Sequence, residues 1–522
     1  MRSLVVSLTR FGDLLQTQPV FTGLNAAGDE VGLLCLQNFR AGAGLTRHVD
    51  QVFEIPGAGL LAELDQGWSG ALGHLLAWAK DLRESFRPER IINLTPSLAG
   101  RLLCRVLADS EPLGFGLDEL GFGTYSSAWA AFLEASSKQR GCSPFNLVDL
   151  FWNTAHLGPG PRVFHLADPS PECLRRADEL IEAAAPSGLS GLLGLQLGAS
   201  AAGRQWPAEY FAKVAGELWT NRGLFPVLLG IKGEEGLAQA FCRTWEGPCL
   251  DLVGQTSLGE LAAVVSRLRL LVTNDTGTMH LAAGLGVPVL AVFLATAQPW
   301  DTGPYLAGSC CLEPDLDCHP CGFSQTCANS QACLGAVRPE AALAYARGFL
   351  DSGRWPELKA EGVRAWETVV TPEHYLDLKS LSGHEVSDRT IWNRIQRHGW
   401  RRFLDGREVA FPAGEFPLPG EGLRLELLEF LHRALGLLEV LWGQAQVLKL
   451  TAKPTARNKF MATWQALENH FTAHPAFSAM AHLWLHLSQA HGQGLDHFEV
   501  FCAQVRDFLL SVTALLSSSD PS

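Results

Sequence analysis

A carboxylate follows the first apolar run of the chain. Residues 4–8 are typical of a buried strand, and the next residues include Arg10, Gly12, Asp13 and Thr17. Gly12 permits a sharp turn, so Asp13 and Thr17 begin a helix at the carboxyl end of the strand, where open α/β sheets place ligands. There Asp13 could act as a general base on an acceptor hydroxyl. It could also simply cap the helix, since Asp is a favoured capping residue.

A loop of small residues lies near the middle of the chain. Residues 197–203 are Leu-Gly-Ala-Ser-Ala-Ala-Gly, and Arg204, Trp206 and Pro207 follow. Such a loop between a strand and a helix can bring backbone N–H groups to a phosphate, with Ser200 among them. Arg204 could pair with a diphosphate through two N–H groups. The alternative is an ordinary loop with a surface arginine.

A second turn between a strand and a helix has the composition of an anion site. Asp275, Thr276 and Gly277 follow the apolar run at 270–273 and begin a helical segment. Free N–H groups at a helix start and threonine hydroxyls suit a diphosphate. His280 lies five residues after Asp275 and could donate a hydrogen bond to a leaving phosphate or a sugar. It could equally be a packed core residue.

These turns must be positioned by a sheet. Continuous apolar runs separated by helices predict parallel strands covered on both faces, which is a doubly wound α/β class. The runs lie at residues 4–8, 31–36, 90–94, 192–197, 225–229, 270–273 and 287–293. The series starts again near Leu192 after a Gly-Pro linker at 158–161, so we expect two Rossmann-like halves with a cleft between them. One large open sheet is the alternative.

The chain changes character after about residue 350. Apolar residues recur at helical spacing in four segments, at 423–448, 460–471, 477–489 and 498–516. This pattern predicts amphipathic helices. The pattern of residues 355–402 is ambiguous, and the serine-rich end at 517–522 is expected to be disordered.

Bulk composition excludes some classes of function. The 522 residues suggest about three domains, and a formal net charge of −13 argues against a general nucleic-acid binder. We see neither a secretory signal nor about 18 uninterrupted apolar residues, so we expect a cytoplasmic protein. Peripheral contact with a membrane is compatible with this expectation. Most of the 13 cysteines should then be reduced thiols.

Taken together, the motifs resemble bacterial ADP-heptose:lipopolysaccharide heptosyltransferases, glycosyltransferase family 9. The first match is Arg-x-Gly-Asp-x-Leu-x-Thr-x-Pro at residues 10–19, and Gly-Ala-Ser through Trp-Pro at 198–207 is the second. Asp-Thr-Gly-x-x-His-x-Ala-Ala at 275–283 and Gly-x-Pro-Val at 286–289 complete the series. The resemblance covers roughly residues 1–350.

The resemblance implies a GT-B fold, in which two Rossmann-like domains face a cleft, and the sequence pattern adds a C-terminal α-helical extension. We expect an acceptor-binding domain at 1–160 and a nucleotide-sugar-binding domain at 161–350. A mostly helical extension would occupy 351–516, followed by the disordered tail at 517–522.

The resemblance also implies roles for individual residues. Asp13 would be the catalytic base, and the acidic residue that binds the nucleotide ribose would be Glu234, with Glu235 as the alternative. The donor would be bound by Arg204, Glu234, Asp275, Thr276, Gly277 and His280, while Arg10, Gly12, Thr17 and Ser200 would support the turns. Two positions depart from the family pattern. Arg204 replaces a lysine and Leu294 replaces a glycine, which puts donor preference or turnover in question.

The implied reaction is an inverting, metal-independent transfer of heptose or a related sugar from an ADP-sugar. The expected donor is ADP-L-glycero-D-manno-heptose, and no cofactor is expected. The acceptor would be lipopolysaccharide core or a related surface glycan at the inner membrane face, with no nucleic-acid partner. Two alternatives stay open, namely the same chemistry on a protein acceptor and a non-catalytic glycan- or nucleotide-binding module.

A cysteine cluster follows the second set of strands. Cys318 and Cys321 have the spacing of a zinc-ligand pair, whereas the spacing to Cys327 and on to Cys333 is less typical of zinc. A group of buried thiols or disulfides, a metal site and a redox function are all compatible with the pattern. We predict no metal site from it.

Overall fold

The computed structural model describes residues 1–108, 110–138, 143–323, 325–451, 453–489 and 494–518. The chain forms two compact units. The first unit comprises Met1–Gly116 and Phe145–Gly383, and the second comprises Leu117–Pro144 and His384–Ser522. The inclusion of Leu117–Pro144 in the second unit is not indicated by the sequence pattern.

The strands and helices alternate through most of the first unit. The strands are β1 (Arg2–Ser7), β2 (Glu30–Leu36), β3 (Gln51–Ile55), β4 (Arg90–Asn93), β5 (Leu113–Leu117), β6 (Gly123–Tyr125), β7 (Gly191–Gln196), β8 (Leu224–Leu229), β9 (Leu250–Asp251), β10 (Leu268–Asn274), β11 (Val289–Val292), β12 (Cys310–Pro314), β13 (Val363–Val370) and β14 (Leu376–Ser380).

The helices are α1 (Phe11–Gln16), α2 (Gln18–Ala26), α3 (Arg40–Ala43), α4 (Gly57–Leu64), α5 (Trp68–Phe86), α6 (Leu98–Leu107), α7 (Ala128–Lys138), α8 (Leu147–Thr154), α9 (Pro171–Ala184), α10 (Ala208–Arg222), α11 (Glu235–Thr244), α12 (Leu258–Ser266), α13 (Gly277–Gly284), α14 (Pro299–Thr302), α15 (Cys333–Ala336), α16 (Pro339–Ser352), α17 (Asp388–Leu404), α18 (Glu421–Leu450), α19 (Pro454–Ala473), α20 (Ser478–Leu487) and α21 (Gly494–Ser517).

The first lobe is built on the parallel strands β3-β2-β1-β4-β5, in that order. Val5 of the central strand pairs with Leu33 on one side and Ile92 on the other. All three side chains are fully buried, because helices cover both faces of a sheet whose strands run in one direction. This arrangement confirms the doubly wound class predicted from the apolar runs.

The second lobe contains a separate sheet with the order β14-β13-β12-β11-β10-β7-β8-β9. Its strands are buried on both faces. In β8, Val227 and Leu229 pack into one hydrophobic core, while Leu224 and Leu228 pack into the other. Because two sheets are present, the alternative of a single large open sheet is wrong and the two Rossmann-like halves are confirmed.

Two strands of this sheet lie in the segment whose pattern was ambiguous. β13 and β14 pair antiparallel and extend the sheet beyond β12. The pattern concealed β13 because the strand carries buried charge. Its Arg364 forms an ion pair with the fully buried Glu313 of β12, with Nε and Oε1 3.2 Å apart. The rest of the ambiguous segment includes α17, which belongs to the second unit.

The second unit is predominantly helical and has an aromatic core. The Phe430 and Phe477 rings stack with centroids 4.4 Å apart, and those of Trp400 and Phe508 with centroids 4.6 Å apart. Its four C-terminal helices, α18 to α21, occur where helical periodicity predicts them. The predicted disordered tail begins at Ser517, which is the last residue of α21, while residues 519–522 lie outside the described part of the chain.

Helix α21 also has the length and apolar composition of a membrane-spanning segment, and in the described residues it is the one helix that does. A core helix of a helical bundle passes the same test. Cys502, Val505 and Leu509 of α21 are fully buried within the second unit, so its apolar stripe contributes to a hydrophobic core.

Candidate active site

The turn after β1 presents Asp13 near the start of α1. Arg10 is the residue that caps this helix, and its backbone N–H donates to Asp13 Oδ2 at 3.5 Å. Thr17 is buried, and its hydroxyl donates to the carbonyl oxygen of Asp13 at 3.0 Å. The Asp13 side chain is half-buried. Asp13 is thus the third residue of the helix, and its carboxylate accepts from the backbone of the capping residue, so the helix-capping role that the sequence left open is present.

The helix that carries Asp13 packs directly against the helix that carries His280. A methyl group on Gly12 would lie 3.1 Å from Cδ2 of His280, and one on Gly277 would lie 2.5 Å from the Phe11 ring. The buried His280 ring therefore lies against the turn that contains Gly12 and Asp13. The first and second lobes thus bring these two turns together at the carboxyl ends of β1 and β10.

The loop after β7 is held against the end of β10 by Asn274. Its amide nitrogen donates to the carbonyl oxygens of Leu197 at 2.8 Å and Gly198 at 3.2 Å. Its side-chain oxygen accepts from the backbone N–H of Trp206 at 2.9 Å. Asn274 was not predicted from the sequence, although a polar residue at the end of an apolar strand is a signal for such a role.

Arg204 and Asp275 form a buried ion pair between these two loops. Arg204 Nη1 donates to the Ser200 hydroxyl at 2.9 Å, and the Thr302 hydroxyl donates to Asp275 Oδ2 at 3.2 Å. In the part of the chain that the structure describes, Arg204 Nε has no hydrogen-bond partner. Asp275 and Ser200 therefore fix the orientation of the guanidinium between the two loops.

A polar network crosses the carboxyl ends of three strands in the second lobe. Glu234 Oε2 accepts from Gln196 Nε2 at 3.2 Å and from the backbone N–H of Ile231 at 3.0 Å. Gln196 Oε1 in turn accepts from the Thr278 hydroxyl at 2.8 Å. Neither Gln196 nor Thr278 was singled out from the sequence, although Gln196 is a polar residue at the end of an apolar strand.

The Glu234 carboxylate lies directly over two glycines. A methyl group on Gly198 would lie 1.7 Å from Glu234 Oε1, and one on Gly230 would lie 2.5 Å from Oε2. The neighbouring Glu235 is exposed at the start of α11. Of the two acidic residues, Glu234 is the one whose carboxylate is fixed at the edge of the sheet beside the small-residue loop.

The two departures from the family pattern have different surroundings. Arg204 lies in the polar site, paired with Asp275. Leu294 is fully buried in the hydrophobic core on one face of the second sheet. The leucine therefore contributes to packing and makes no contribution to the polar lining of the site.

The cysteine-containing segment packs behind the donor-side loop. The Cys321 backbone N–H donates to the carbonyl oxygen of Ala295 at 2.8 Å, and His319 Nε2 donates to that of Ala297 at 3.0 Å. His319 is buried, with Nδ1 3.4 Å from Glu313 Oε2. These contacts anchor the chain just before Gln298 and α14, which carries Thr302.

The cysteines themselves are unbridged. Cys318 and Cys327 are exposed, Cys321 is half-buried and Cys333 is buried, and all four are free thiols. Burial raises the pKa of the Cys321 and Cys333 thiols. Among the described residues, no three His, Cys, Asp or Glu side chains are grouped so that they could hold a metal ion.

Comparison with known proteins identifies relatives of the second lobe. Residues 163–332 match the family described as glycosyltransferase family 9 (heptosyltransferase). Lipooligosaccharide heptosyltransferase 2 of Campylobacter jejuni is 29% identical over 168 residues, which is 30% of this chain and 51% of that protein. Lipopolysaccharide heptosyltransferase 2 of Salmonella typhimurium is 34% identical over 95 residues, 17% of this chain and 27% of the relative. The chain thus spans about half or less of the length of these curated relatives.

The fold extends the likeness to both lobes. The structure of ADP-heptose lps heptosyltransferase II of E. coli matches 68% of this chain and 99% of its own, with a TM-score of 0.51 and 16% sequence identity. This likeness confirms the GT-B architecture that the motifs implied. The motif resemblance and the match at residues 163–332 point to the same family, glycosyltransferase family 9 (heptosyltransferase).

Proposed function

We propose that this protein transfers heptose, or a related sugar, from an ADP-sugar to a hydroxyl group of lipopolysaccharide core or a related surface glycan. The observation that carries the proposal is the contact between α1, with Asp13, and α13, with His280. That contact brings together, at one interface, a carboxylate of the first lobe and a turn of the second lobe at the start of a helix, where phosphate groups commonly bind. A transfer between two bound substrates requires such an arrangement.

The second lobe would bind the donor. Glu234 would accept hydrogen bonds from the two ribose hydroxyls, in keeping with its position over Gly198 and Gly230. Backbone N–H groups at the start of α13, together with the Thr276 hydroxyl, would hold the diphosphate. His280 would donate a hydrogen bond to the leaving phosphate or to the sugar. The expected donor is ADP-L-glycero-D-manno-heptose.

Arg204 would stabilise the diphosphate as it leaves. The family places a lysine here, which acts as a point charge, whereas a guanidinium has five N–H donors in a fixed plane. Arg204 uses donors on Asp275 and Ser200, and its buried Nε has no partner among the described residues. This arrangement supports an arginine in the same role, with Asp275 acting through it as a positioning residue.

The first lobe would supply the base. Asp13 would accept the proton of the acceptor hydroxyl while that oxygen attacks the anomeric carbon of the donor sugar. The bond from this carbon to the diphosphate breaks in the same step, and ADP leaves with the electron pair. A single displacement inverts the anomeric centre, and in this scheme the charge on the leaving group is balanced by protein side chains and helix N–H groups without a metal ion. The reaction would occur at the cytoplasmic face of the inner membrane.

The test is a transfer assay with the purified full-length chain, ADP-heptose and lipid A–Kdo, following both ADP release and sugar incorporation. Asp13→Asn is expected to lower kcat by roughly 10²- to 10⁴-fold, because proton transfer by a positioned base contributes that much. Asp168→Asn is the matched control, since Asp168 is exposed. Unchanged transfer by Asp13→Asn would refute the role of Asp13.

The same assay separates the remaining possibilities. Transfer to a polypeptide in place of the glycolipid would keep the chemistry and correct the acceptor. Binding of the donor without ADP release, across all acceptors, would indicate a non-catalytic binding module and overturn the proposal.

A further inference from the structure

Helices α4 and α5 of the first lobe form a hairpin with an exposed apolar face. Five large apolar side chains on it are between 43% and 71% exposed, namely Leu61, Leu64, Trp68, Leu72 and Leu76. A contact between His74 and Glu63, with Nδ1 and Oε2 2.7 Å apart, joins the two helices. Large exposed apolar groups in one place mark an interaction surface more often than an accident of composition.

The face is exposed because α5 is longer than the sheet it covers. At one end, the Phe86 ring packs on Gly32, near the start of β2. Further along, Trp78 Nε1 donates to the carbonyl oxygen of Glu54, next to the end of β3. The ten residues of α5 before Trp78 therefore extend roughly 15 Å beyond the carboxyl edge of the sheet, at 1.5 Å per residue.

The exposed residues continue the stripe that α5 buries. Ala79, Leu82 and Phe86 face the core of the first lobe, and Trp68 and Leu72 precede them at the helical spacing of four, three and four residues through Leu75. In the part of α5 that projects past the sheet, Ala71 is buried and Leu75 is half-buried, whereas Trp68, Leu72 and Leu76 are exposed. The apolar surface of α5 is thus only partly covered there.

The overhang is on the acceptor side of the proposed site. α5 projects past the carboxyl edge of the sheet, and at this same edge β1 ends and the Asp13 turn begins. β3 is two strands from β1, a separation of about 10 Å at 4.7–4.9 Å per strand. The hairpin therefore flanks the entrance by which an acceptor would approach Asp13.

The charge of the hairpin favours a lipid occupant. Residues 67–79 contain no Asp, Glu, Lys or Arg, and the one titratable side chain among them, His74, is paired with Glu63. The carboxylates of the hairpin, Glu63 and Asp65, lie on α4 and just after it. The α5 part of the face combines apolar side chains with Trp68 at its start, a composition that suits the boundary between headgroups and acyl chains. The chain as a whole carries a net charge of −13, so attraction to anionic lipid does not explain such a surface.

We propose that the α4–α5 hairpin inserts its apolar face into a lipid bilayer and so holds the acceptor-bearing membrane beside Asp13. The inference rests on the proposed function in one respect, namely that the acceptor is a glycolipid. Insertion driven by apolar area predicts binding to zwitterionic vesicles and little weakening by salt.

The test uses the full-length chain and sedimentation with vesicles of phosphatidylcholine, alone and with one quarter phosphatidylglycerol. The double variant Trp68→Ser, Leu72→Ser is expected to weaken vesicle binding at least 10-fold. The control is Val447→Ser, Leu450→Ser, which removes two exposed apolar side chains from α18 of the second unit. Equal binding by the two double variants, or binding by anionic vesicles only, would overturn the proposal.

An activity comparison separates this proposal from the proposed function. With a water-soluble, deacylated acceptor, the hairpin variant should match the wild-type rate, which also shows that it is folded. With the acceptor embedded in vesicles, its rate should fall about 10-fold. No transfer to either acceptor would refute the proposed function while leaving vesicle binding to be judged by itself. If the wild-type protein does not bind vesicles but forms dimers, and the hairpin variant is monomeric, the face binds a second copy of the chain and the proposal is overturned.

Discussion

Glu234 illustrates how one side chain depends on residues distant in sequence. Gly198 and Gly230 leave the space that its carboxylate occupies, and Gln196 donates to it. Each partner comes from the end of a different strand or loop. The sequence indicates an acidic residue at this point but only slightly favours Glu234 over Glu235, because both follow the same strand.

Replacement of Glu234 by glutamine should raise the donor KM roughly 10- to 100-fold. Hydrogen bonds to charged groups contribute about 1.5–3 kcal/mol, and glutamine keeps the size while losing the charge. Glu235→Gln is the matched control and should change KM less than twofold, because Glu235 is exposed. Initial-rate kinetics with varied ADP-sugar measure both, and equal effects would refute the assignment to Glu234.

A methyl group at Gly198 should have nearly the same effect as the loss of the Glu234 charge. Gly198→Ala places Cβ 1.7 Å from Glu234 Oε1, so the carboxylate must move. Gly233→Ala is the control, since no atom lies within 4 Å of the added methyl group. The double variant Gly198→Ala, Glu234→Gln should be no worse than the more severe single variant, because both remove one interaction. Additive losses would show that the two residues act independently.

Asp29 should make the stability of the first lobe sensitive to acid. Burial pushes the pKa of Asp29 upward, but the Ser3 hydroxyl, the N-terminal ammonium and the Arg90 guanidinium together outweigh it, so the net pKa lies below the ordinary 3.8. A lowered folded-state pKa contributes stability that is present above the unfolded value and is lost as pH falls through the folded value.

Denaturant titrations from pH 7 to pH 2.5 measure this contribution. Asp29→Asn should lower the free energy of unfolding at pH 7 and flatten its decline below about pH 4. The exposed Asp168→Asn should follow the wild-type profile. An Asp29→Asn profile parallel to the wild type throughout would exclude Asp29 as the source of the acid sensitivity.

At the scale of elements, the site depends on how the strand ends are tied together. Asn274 joins the end of β10 to the loop after β7, and Asp275 and Arg204 join the same two elements through an ion pair. His319 and Cys321 brace the following loop from behind. The geometry of the candidate site is therefore supported by buried polar groups, and we expect their loss to lower the stability of the protein.

Asn274→Ala should lower the free energy of unfolding by about 2–4 kcal/mol, since it leaves buried carbonyl and N–H groups without partners. Asn274→Asp should be at least as harmful, because its second carboxylate oxygen would face the carbonyl oxygens of Leu197 and Gly198. The exposed Asn221→Ala, which removes a surface hydrogen bond to Glu217, should cost under about 0.5 kcal/mol. Chemical denaturation compares the three variants. An unchanged free energy of unfolding for Asn274→Ala would contradict the role of Asn274 in joining β10 to the loop after β7.

At the scale of the whole molecule, the second unit is assembled from two distant parts of the chain. Leu117–Pro144 clusters with His384–Ser522 and not with the strands that precede it. Within this unit, the Trp129 indole N–H donates to Asp405 at 2.9 Å, and the Phe132 ring lies 5.4 Å from that of Trp400.

Truncation after residue 383 should therefore expose apolar surface and not yield a well-behaved shorter protein. The truncated chain keeps α7 but loses the residues that α7 packs on, so we expect increased binding of a hydrophobic dye and low soluble yield. A second truncated chain, with residues 117–144 also replaced by a short Gly-Ser linker, should recover solubility. Equal solubility of the two would show that Leu117–Pro144 does not need the C-terminal helices.

Much of the organisation could be predicted from local pattern. The apolar runs of β1, β7, β8 and β10 and the helical periodicity of α18 to α21 appear in the structure near the predicted positions. β13 was not predicted, because its buried Arg364 and half-buried Glu367 break the apolar pattern that marks the other strands. Charged residues can lie in a strand interior when partners such as Glu313 come from a neighbouring strand. The local sequence pattern does not predict which residues form such pairs across strands.

The class of fold, the two repeated lobes and the turns that carry Asp13 and Asp275 could be predicted from local pattern, because they depend on spacing within short segments. The three-dimensional structure was needed to show that Gly12 lies against His280, that Arg204 pairs with Asp275, and that α5 projects beyond its sheet. Each of these depends on distances between residues far apart along the chain. Such distances are fixed by how whole strands and helices pack together, so they cannot be predicted from the spacing of residues within short segments.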